Sequence, residues 1–576
     1  MAGGLDTFAA NGMLPTMRSP DGRIPAGSPP PTKQAFLRWL FATHVFCGAI
    51  WVAAAAALLA APAGPRVLLE VHPASLQVRD NSRTVAPGAD LQAALDVARP
   101  GDEIVLEANQ RYSGNFVLPG KTGAGWITLR SSAMNRLPAE GVRVRPEHAE
   151  AMPKIVSPND RPALAAAPGA GFYRLVGIEI LPAEGVDYSF GLVSLGGEQT
   201  SIAQSPHDFI FDRVFVHGHA HAALKRGFAL NSAATVIANS RVADCHVAGQ
   251  DAQAIGGWTG PGPYKIINNY LEGSGENVMF GGADPSVPDL VPADIEIRGN
   301  HFFKPLAWRQ GEPGFAGERW TVKNLLELKN ARRVWIEGNV LEYSWVHGQV
   351  GFALLLTPRN QGGKAPWCTV EDVTFVNNIV RHCSSGISIL AEDDNHRSDT
   401  AKRLLFRNNL FEDINPTRFG GDGRLLQLIS PRRPVAELVL ERNTMLHRGR
   451  GNTFICLDGK GKVISEFGFR GNIVTRGQYG IHGSRAMGKA GLEAYCDGFE
   501  MTRNLIIGPG DAEAWPEGNS VASTIDAVRF VDPAAGNYRL SPQSPFRSLA
   551  SVGVDMEALG TATAGAVSGV WQNRKP

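Results

Sequence analysis

The sequence predicts an all-β solenoid of stacked coils, and three observations carry that prediction. A pattern of apolar residues around a recurrent asparagine returns eleven times after residue 170. Successive returns are 27 to 39 residues apart, the length of one supersecondary unit that cannot bury its apolar face alone. Finally, 65 Gly and 38 Pro in 576 residues are too much turn chemistry for a helical bundle.

The repeat is anchored at Ile178, Arg213, Ser240, Asn269, Asn300, Asn339, Asn378, Asn409, Asn443, Asn472 and Asn504. Apolar residues stand five and three places before the anchor and two places after it, as in Val373, Phe375 and Val380 around Asn378. Both stretches have the period of a strand. An asparagine at the corner between them tolerates the left-handed conformation and bonds to the amide of the next coil, so its role is structural. A second strand series follows each corner, in KRGFALN, AQAIGGW, ENVMFGG, NLLELKN, GFALLLT, SGISILAE and RLLQLIS. Strands of fixed register leave only the loops to absorb the variation in coil length.

Ahead of the repeat, DLQAALDVARPGDEIVL at residues 90 to 106 sets Leu91, Ala94, Leu95 and Ala98 at helical spacing. Near the end lies NYRLSPQSP at 537 to 545. Over roughly residues 85 to 550 the chain resembles secreted right-handed parallel β-helix proteins of the pectate-lyase-like superfamily. The resemblance implies a right-handed parallel β-helix of about eleven or more coils with an N-terminal capping helix. The expected division is a lead at 1–63, a cap and first coils at 64–170, the parallel β-helix at 171–510, and a closing segment and tail at 511–576.

Residues Val45 to Ala61 form an uninterrupted apolar stretch after a lead with Arg18, Arg23, Lys33 and Arg38 against Asp6 and Asp21. Ala61-Pro62-Ala63 has the small-x-small form of a cleavage site, so a signal peptide and a secreted or periplasmic protein are expected. The alternative is an uncleaved anchor with the β-helix outside the cytoplasm. Basic and acidic residues number 56 and 55, so no overall field recruits nucleic acid or a membrane surface, and a charged substrate must meet a local cluster. Six cysteines at scattered positions form no zinc pattern and read as small buried side chains. A monomer is expected.

Ionisable groups collect at the edges of the second strand series, and stacking of the coils lines them along one groove. Lys225 and Arg226 are candidate catalytic bases, a role for which each normally has too high a pKa and needs a cationic or desolvated setting. Asp251, Glu276 and Asp284 are candidate oxygen ligands for Ca2+, and Gln253, Trp258, Asn277 and Arg359 candidate substrate contacts. Lys329 and Arg359 are the alternatives to the Lys225–Arg226 pair. Together they suit an acidic, uronate-containing polysaccharide, and lyases on the resembling fold cleave such polymers by β-elimination. Two other readings stand beside it, a glycoside hydrolase, to which only the Glu392-Asp393-Asp394 run points, and a non-catalytic carbohydrate-binding protein. His217, His219 and His221 alternate as metal ligands on one strand face would, although solvated surface histidines have the same spacing.

Overall fold

Three long parallel sheets wrap the chain into a coil. The computed structural model describes residues 61–73, 81–549 and 551–571, and the apolar leader, apart from Ala61, lies outside them. The first sheet stacks 14 strands from Ser82–Val85 to Cys496–Thr502, the second 14 from Arg111–Ser113 to Ser520–Ala522, and the third 12 from Phe116–Leu118 to Gly480–Gly483. Each turn of chain visits the sheets in that order, as Val370–Val376, Ile379–Cys383 and Ser385–Leu390 do. The fold is the expected right-handed parallel β-helix, the hand that parallel crossovers adopt.

Apolar residues from all three sheets fill the interior. Phe209, Phe211, Phe228, Tyr264, Phe280, Phe375, Phe406 and Phe411 are fully buried. Each such side chain contributes on the order of 1.5–3 kcal/mol relative to exposure. Rings of successive coils stack, with Tyr173 and Phe209 centroids 6.4 Å apart and 11° from coplanar. The five described cysteines are buried and free.

The corner asparagines form a continuous hydrogen-bonded ladder. The backbone N–H of Asn378 donates to Asn409 Oδ1 at 2.9 Å, and Asn409 donates in the same way to Asn443 at 3.0 Å. Each amide nitrogen also bonds to the next side-chain oxygen and to a carbonyl of the preceding coil, as Asn378 Nδ2 does to Ile336. The ladder ends on Asn519, one rung beyond the repeat read from the sequence. Two details correct that reading. The left-handed residue precedes the ladder asparagine, at Asn268, Gly338, Asn377 and Asn408, which leaves the asparagine free to aim its amide inward. Val214, whose N–H bonds to Ser240 Oγ, holds the rung assigned to Arg213, and Arg213 is the left-handed residue there.

Residues 91–97 form the expected helix, with the Asp90 carboxylate accepting from Ala93 N and with Leu91, Ala94 and Leu95 in the main core. Phe530–Asp532 and Asn537–Leu540 make an antiparallel pair that packs with Leu410, Leu446, Ile473 and Leu505. Surplus coil length lies in loops, as predicted. The largest of these lies between strands His301–Phe303 and Leu326–Leu328 and is held by Trp308, Trp320 and Val322 packed on Trp345 and Phe419. His246 stacks on Trp320 at 4.0 Å, which clamps this loop over residues 246–249. The clamp fixes the position of Lys323.

Candidate functional site

The third sheet builds the site from strands Arg226–Leu230, Gln253–Gly257 and Glu276–Phe280. Alternation turns Phe228, Ile255 and Val278 into the core in one row. Arg226, Gln253 and Glu276 form a second row in direct register at the start of the strands. Residues 25 or so apart in the chain thereby become neighbours one strand spacing apart, about 4.8 Å. The floor beside the row is Gly256 and Gly257, and an added Cβ at Gly257 would strike the Leu230 carbonyl. Both glycines are buried, and at Gly257 the missing side chain is what lets the neighbouring Leu230 backbone pack closely.

Glu276 is fully buried. Its Oε2 accepts from Gln253 Nε2 at 2.7 Å, while Oε1 has no hydrogen bond. Lys323, delivered by the clamped loop, puts its ammonium 2.5 Å from Asp251 and 3.9 Å from Glu276. Glu327 accepts from Asn324 Nδ2 at 3.1 Å and pairs with Lys329 at 3.4 Å. Burial, reinforced by the Glu327 and Asp251 carboxylates, pushes the Glu276 carboxyl up to about 7, against the opposing charges of Lys329 and Lys323. From within the wall the fully buried Lys304 ammonium donates to the carbonyls of Gly273, Ser274 and Gly275. Burial pulls its pKa down, and its three bonds pin the turn that carries Glu276.

A carboxyl whose pKa is raised on folding contributes stability that is complete below its unfolded value, about 4.5, and is lost as the pH rises through about 7. Glu276→Gln cannot ionise, so it is expected to flatten the stability–pH curve between those values. Denaturant unfolding of both proteins from below pH 4.5 to above pH 7 checks this, and an unchanged slope in the variant would remove Glu276 as its source.

Lys225 and Arg226 are half-buried at the edge of this row. The Lys225 ammonium lies 5.2 Å from the Phe190 ring and donates to Gln250 Oε1 at 3.1 Å. Burial and then the Arg226 charge lower its pKa, with Asp251 opposing. The Arg226 guanidinium lies 4.9 Å from the Trp258 ring and 5.5 Å from Phe190. Its Nε is buried without a partner, and no ion pair to Arg226 exists among the described residues. The arrangement is a cation between two rings beside a lysine whose pKa is depressed.

The structure thus brings Lys225, Arg226, Asp251, Gln253, Trp258 and Glu276 together. Three expected members lie elsewhere. Asn277 is fully buried and donates to the Leu271 and Phe303 carbonyls at 2.7 and 2.9 Å, so it braces the coil from inside and does not line the groove. Asp284 follows the far end of its strand and accepts from Gly362 N and Lys364 N. Arg359 also lies past a strand end and is engaged by Asp393 and Asp394. Of the run that pointed to hydrolysis, Glu392 is held by Arg432 and Arg433, which leaves no free carboxylate pair. His217, His219 and His221 each take a separate partner, Glu179, the Pro182 carbonyl and Glu318.

The residues named for calcium do not fit that ion. Asp284 is at the opposite end of the strand from Glu276, and the Lys323 ammonium occupies the space between Asp251 and Glu276. Among the described residues no group of three or more His, Cys, Asp or Glu converges on a metal position. Lys323, Lys304 and Phe190 are the members that sequence reasoning missed. Lys323 stands one residue before the quoted NLLELKN strand, a position that signalled a groove edge. Lys304 and Phe190 carry no such signal.

On the N-terminal side the row opens into a pocket of about 560 Å³ over strands Leu164–Ala166, Val193–Leu195 and Arg226–Leu230, walled by Phe190 and Trp258. A larger pocket, about 770 Å³ around Arg450, Gln478 and Pro509, has no carboxylate in its lining.

No protein-family model matches the chain, and no curated protein matches it. Among solved structures it is similar to a PL6 family alginate lyase, AlyGC, at 12% identity over 86% of this chain and 59% of that one, with a TM-score of 0.44. It is similar to a mannuronic acid specific polysaccharide family 6 lyase from human gut microbiota, at 12% identity, 85% and 99% coverage and a TM-score of 0.38. The catalytic unit of a GH87 alpha-1,3-glucanase from Streptomyces thermodiastaticus gives 11%, 81%, 71% and 0.39. The chain spans 59% of the length of the first of these.

Proposed function

We propose that the chain cleaves a uronate-containing polysaccharide by β-elimination in the groove over Arg226, Gln253 and Glu276. One observation carries this reading: Arg226 is a half-buried cation held by two aromatic rings and makes no direct ion pair among the described residues, the Glu276 and Asp251 carboxylates acting on it only at longer range. A desolvated cation without a direct ion pair is costly, and a substrate carboxylate offsets that cost by pairing with the planar guanidinium.

In this scheme Arg226 binds the uronate carboxylate, which acidifies C5–H and stabilises the charge that develops on it. Neutral Lys225 takes the C5 proton. The electron pair forms the C4–C5 double bond, the C4–O bond breaks, and the Lys225 ammonium returns its proton to the departing oxygen. Net charge is conserved, and no step requires a metal. The depressed pKa of Lys225 supports the base role, since it raises the neutral fraction. Lys323 and Lys329 hold the surrounding carboxylates, which would otherwise repel the substrate. The apolar leader supports action outside the cytoplasm.

The test follows ultraviolet absorbance of the unsaturated product when the full chain meets polygalacturonate, alginate and chondroitin, with and without calcium. Absorbance growth on at least one polymer is expected. Silence on all of them sinks the elimination reading, and binding without product would favour the non-catalytic alternative.

A further inference from the structure

The groove is charged at one end only. Over Arg226 it presents a guanidinium with no direct ion pair among the described residues, whereas the adjoining pocket is lined by small and apolar groups, among them Ala166, Val193 and Ala229 between the Phe190 and Trp258 rings. Among the described residues lining that pocket the only ionisable one is Glu198, which is exposed and carries the wrong sign for a uronate. Gln199, also in the lining, points its amide into the wall, where it donates to the Asn231 and Thr259 carbonyls. Ser194, Thr200 and Gln204 leave neutral polar groups at the rim.

A uronate carboxylate seated in this pocket would lose water against apolar walls with no cation to replace it, and would face the Glu198 carboxylate. A neutral pyranose meets the opposite conditions. Its C–H face covers Trp258 and Phe190, and its hydroxyl or N-acetyl groups reach the neutral rim. Because the pocket shares Phe190 and Trp258 with the Arg226 site, one continuous sugar chain spans both.

We infer that the substrate alternates, a uronate over Arg226 joined to a neutral or N-acetylated sugar in the adjoining pocket, and that this pocket selects against homopolymers of uronate. The inference rests on the elimination reading for its catalytic half, and names the substrate class of the same groove.

Its test compares kcat/KM of the full chain on matched-length oligosaccharides, homopolymeric galacturonate and mannuronate against unsulfated chondroitin and hyaluronan. The alternating series is expected to be favoured by about ten-fold or more, the discrimination that one poorly placed, desolvated charge produces. Glu198→Lys, an exposed substitution that leaves the core untouched, is expected to shrink the preference several-fold by raising activity on the homopolymers. Equal or better cleavage of homopolymers, or an unchanged ratio in the Glu198→Lys variant, overturns the inference and leaves elimination standing. If nothing is cleaved, elimination fails, and calorimetric binding of the same oligosaccharides decides the pocket separately. Tighter binding of the alternating series then supports it and equal Kd values overturn it.

Discussion

Replacing Lys225 with alanine is expected to lower kcat by roughly 10²–10⁴-fold, the contribution of a positioned general base. Thermal unfolding should hardly change, because the side chain is half-exposed and its one described hydrogen bond, to Gln250, is itself exposed. Arg226 separates from it kinetically. Arg226→Ala removes the carboxylate contact in both the ground state and the transition state, so KM rises as kcat falls. Arg226→Lys keeps the charge but loses the planar fork and the stacking on Trp258 and Phe190, and rescues only part of the activity. Steady-state kinetics on the best polymer reads all three variants. Full activity in both alanine variants would move the chemistry off this row, with Lys329 the next cation to test.

Asn378→Ala is expected to be the most damaging single change outside the site, destabilising the coil by on the order of 3–5 kcal/mol. Asn378 Oδ1 accepts from both the backbone N–H and the side-chain amide of Asn339, at 2.9 Å each. Its Nδ2 satisfies the Ile336 carbonyl at 3.0 Å. Alanine leaves these groups unpaired in a fully buried corner, and no water replaces the amide without opening the stack. Because each coil leans only on its neighbours, the damage should appear as earlier unfolding of the middle coils. The denaturant midpoint and hydrogen exchange around residues 339–409 check this. A loss below about 1 kcal/mol would show that the ladder is dispensable.

The two predictions draw on different kinds of information. The ladder was legible in the chain because Asn recurs at fixed offsets from apolar residues, and a repeat repeats its physics. The one-residue error at Arg213 arose where Val214 and Ser240 replace asparagine, which leaves no amide to mark the rung. The grouping of Lys225, Arg226, Asp251, Gln253 and Glu276 was legible for the same reason, since equal strand offsets in successive coils become equal positions on one face.

Orientation was not legible in this way. Asn277 follows Glu276 directly, yet Glu276 meets Gln253 in the groove row while Asn277 turns to the Leu271 and Phe303 carbonyls in the wall, partners that only the stacked coils supply. Asp284 looked like a third carboxylate for the same ion, but the strand between carries it to the far edge, where loop amides bind it. The cation that Asp251 and Glu276 do meet, Lys323, arrives on a loop whose path depends on packing among Trp308, Trp320, Trp345 and Phe419.

Local sequence therefore determined the coil, its asparagine spine and the strand row on which the groove stands, because periodic burial and corner hydrogen bonds act within one repeat and its neighbours. Tertiary packing alone decided which charges are neutralised. It gave Asp251 and Glu276 a lysine, turned Asn277 inward, and left Arg226 without a direct ion pair. Those outcomes depend on loop paths and on distances between residues far apart in the chain, which no repeat encodes.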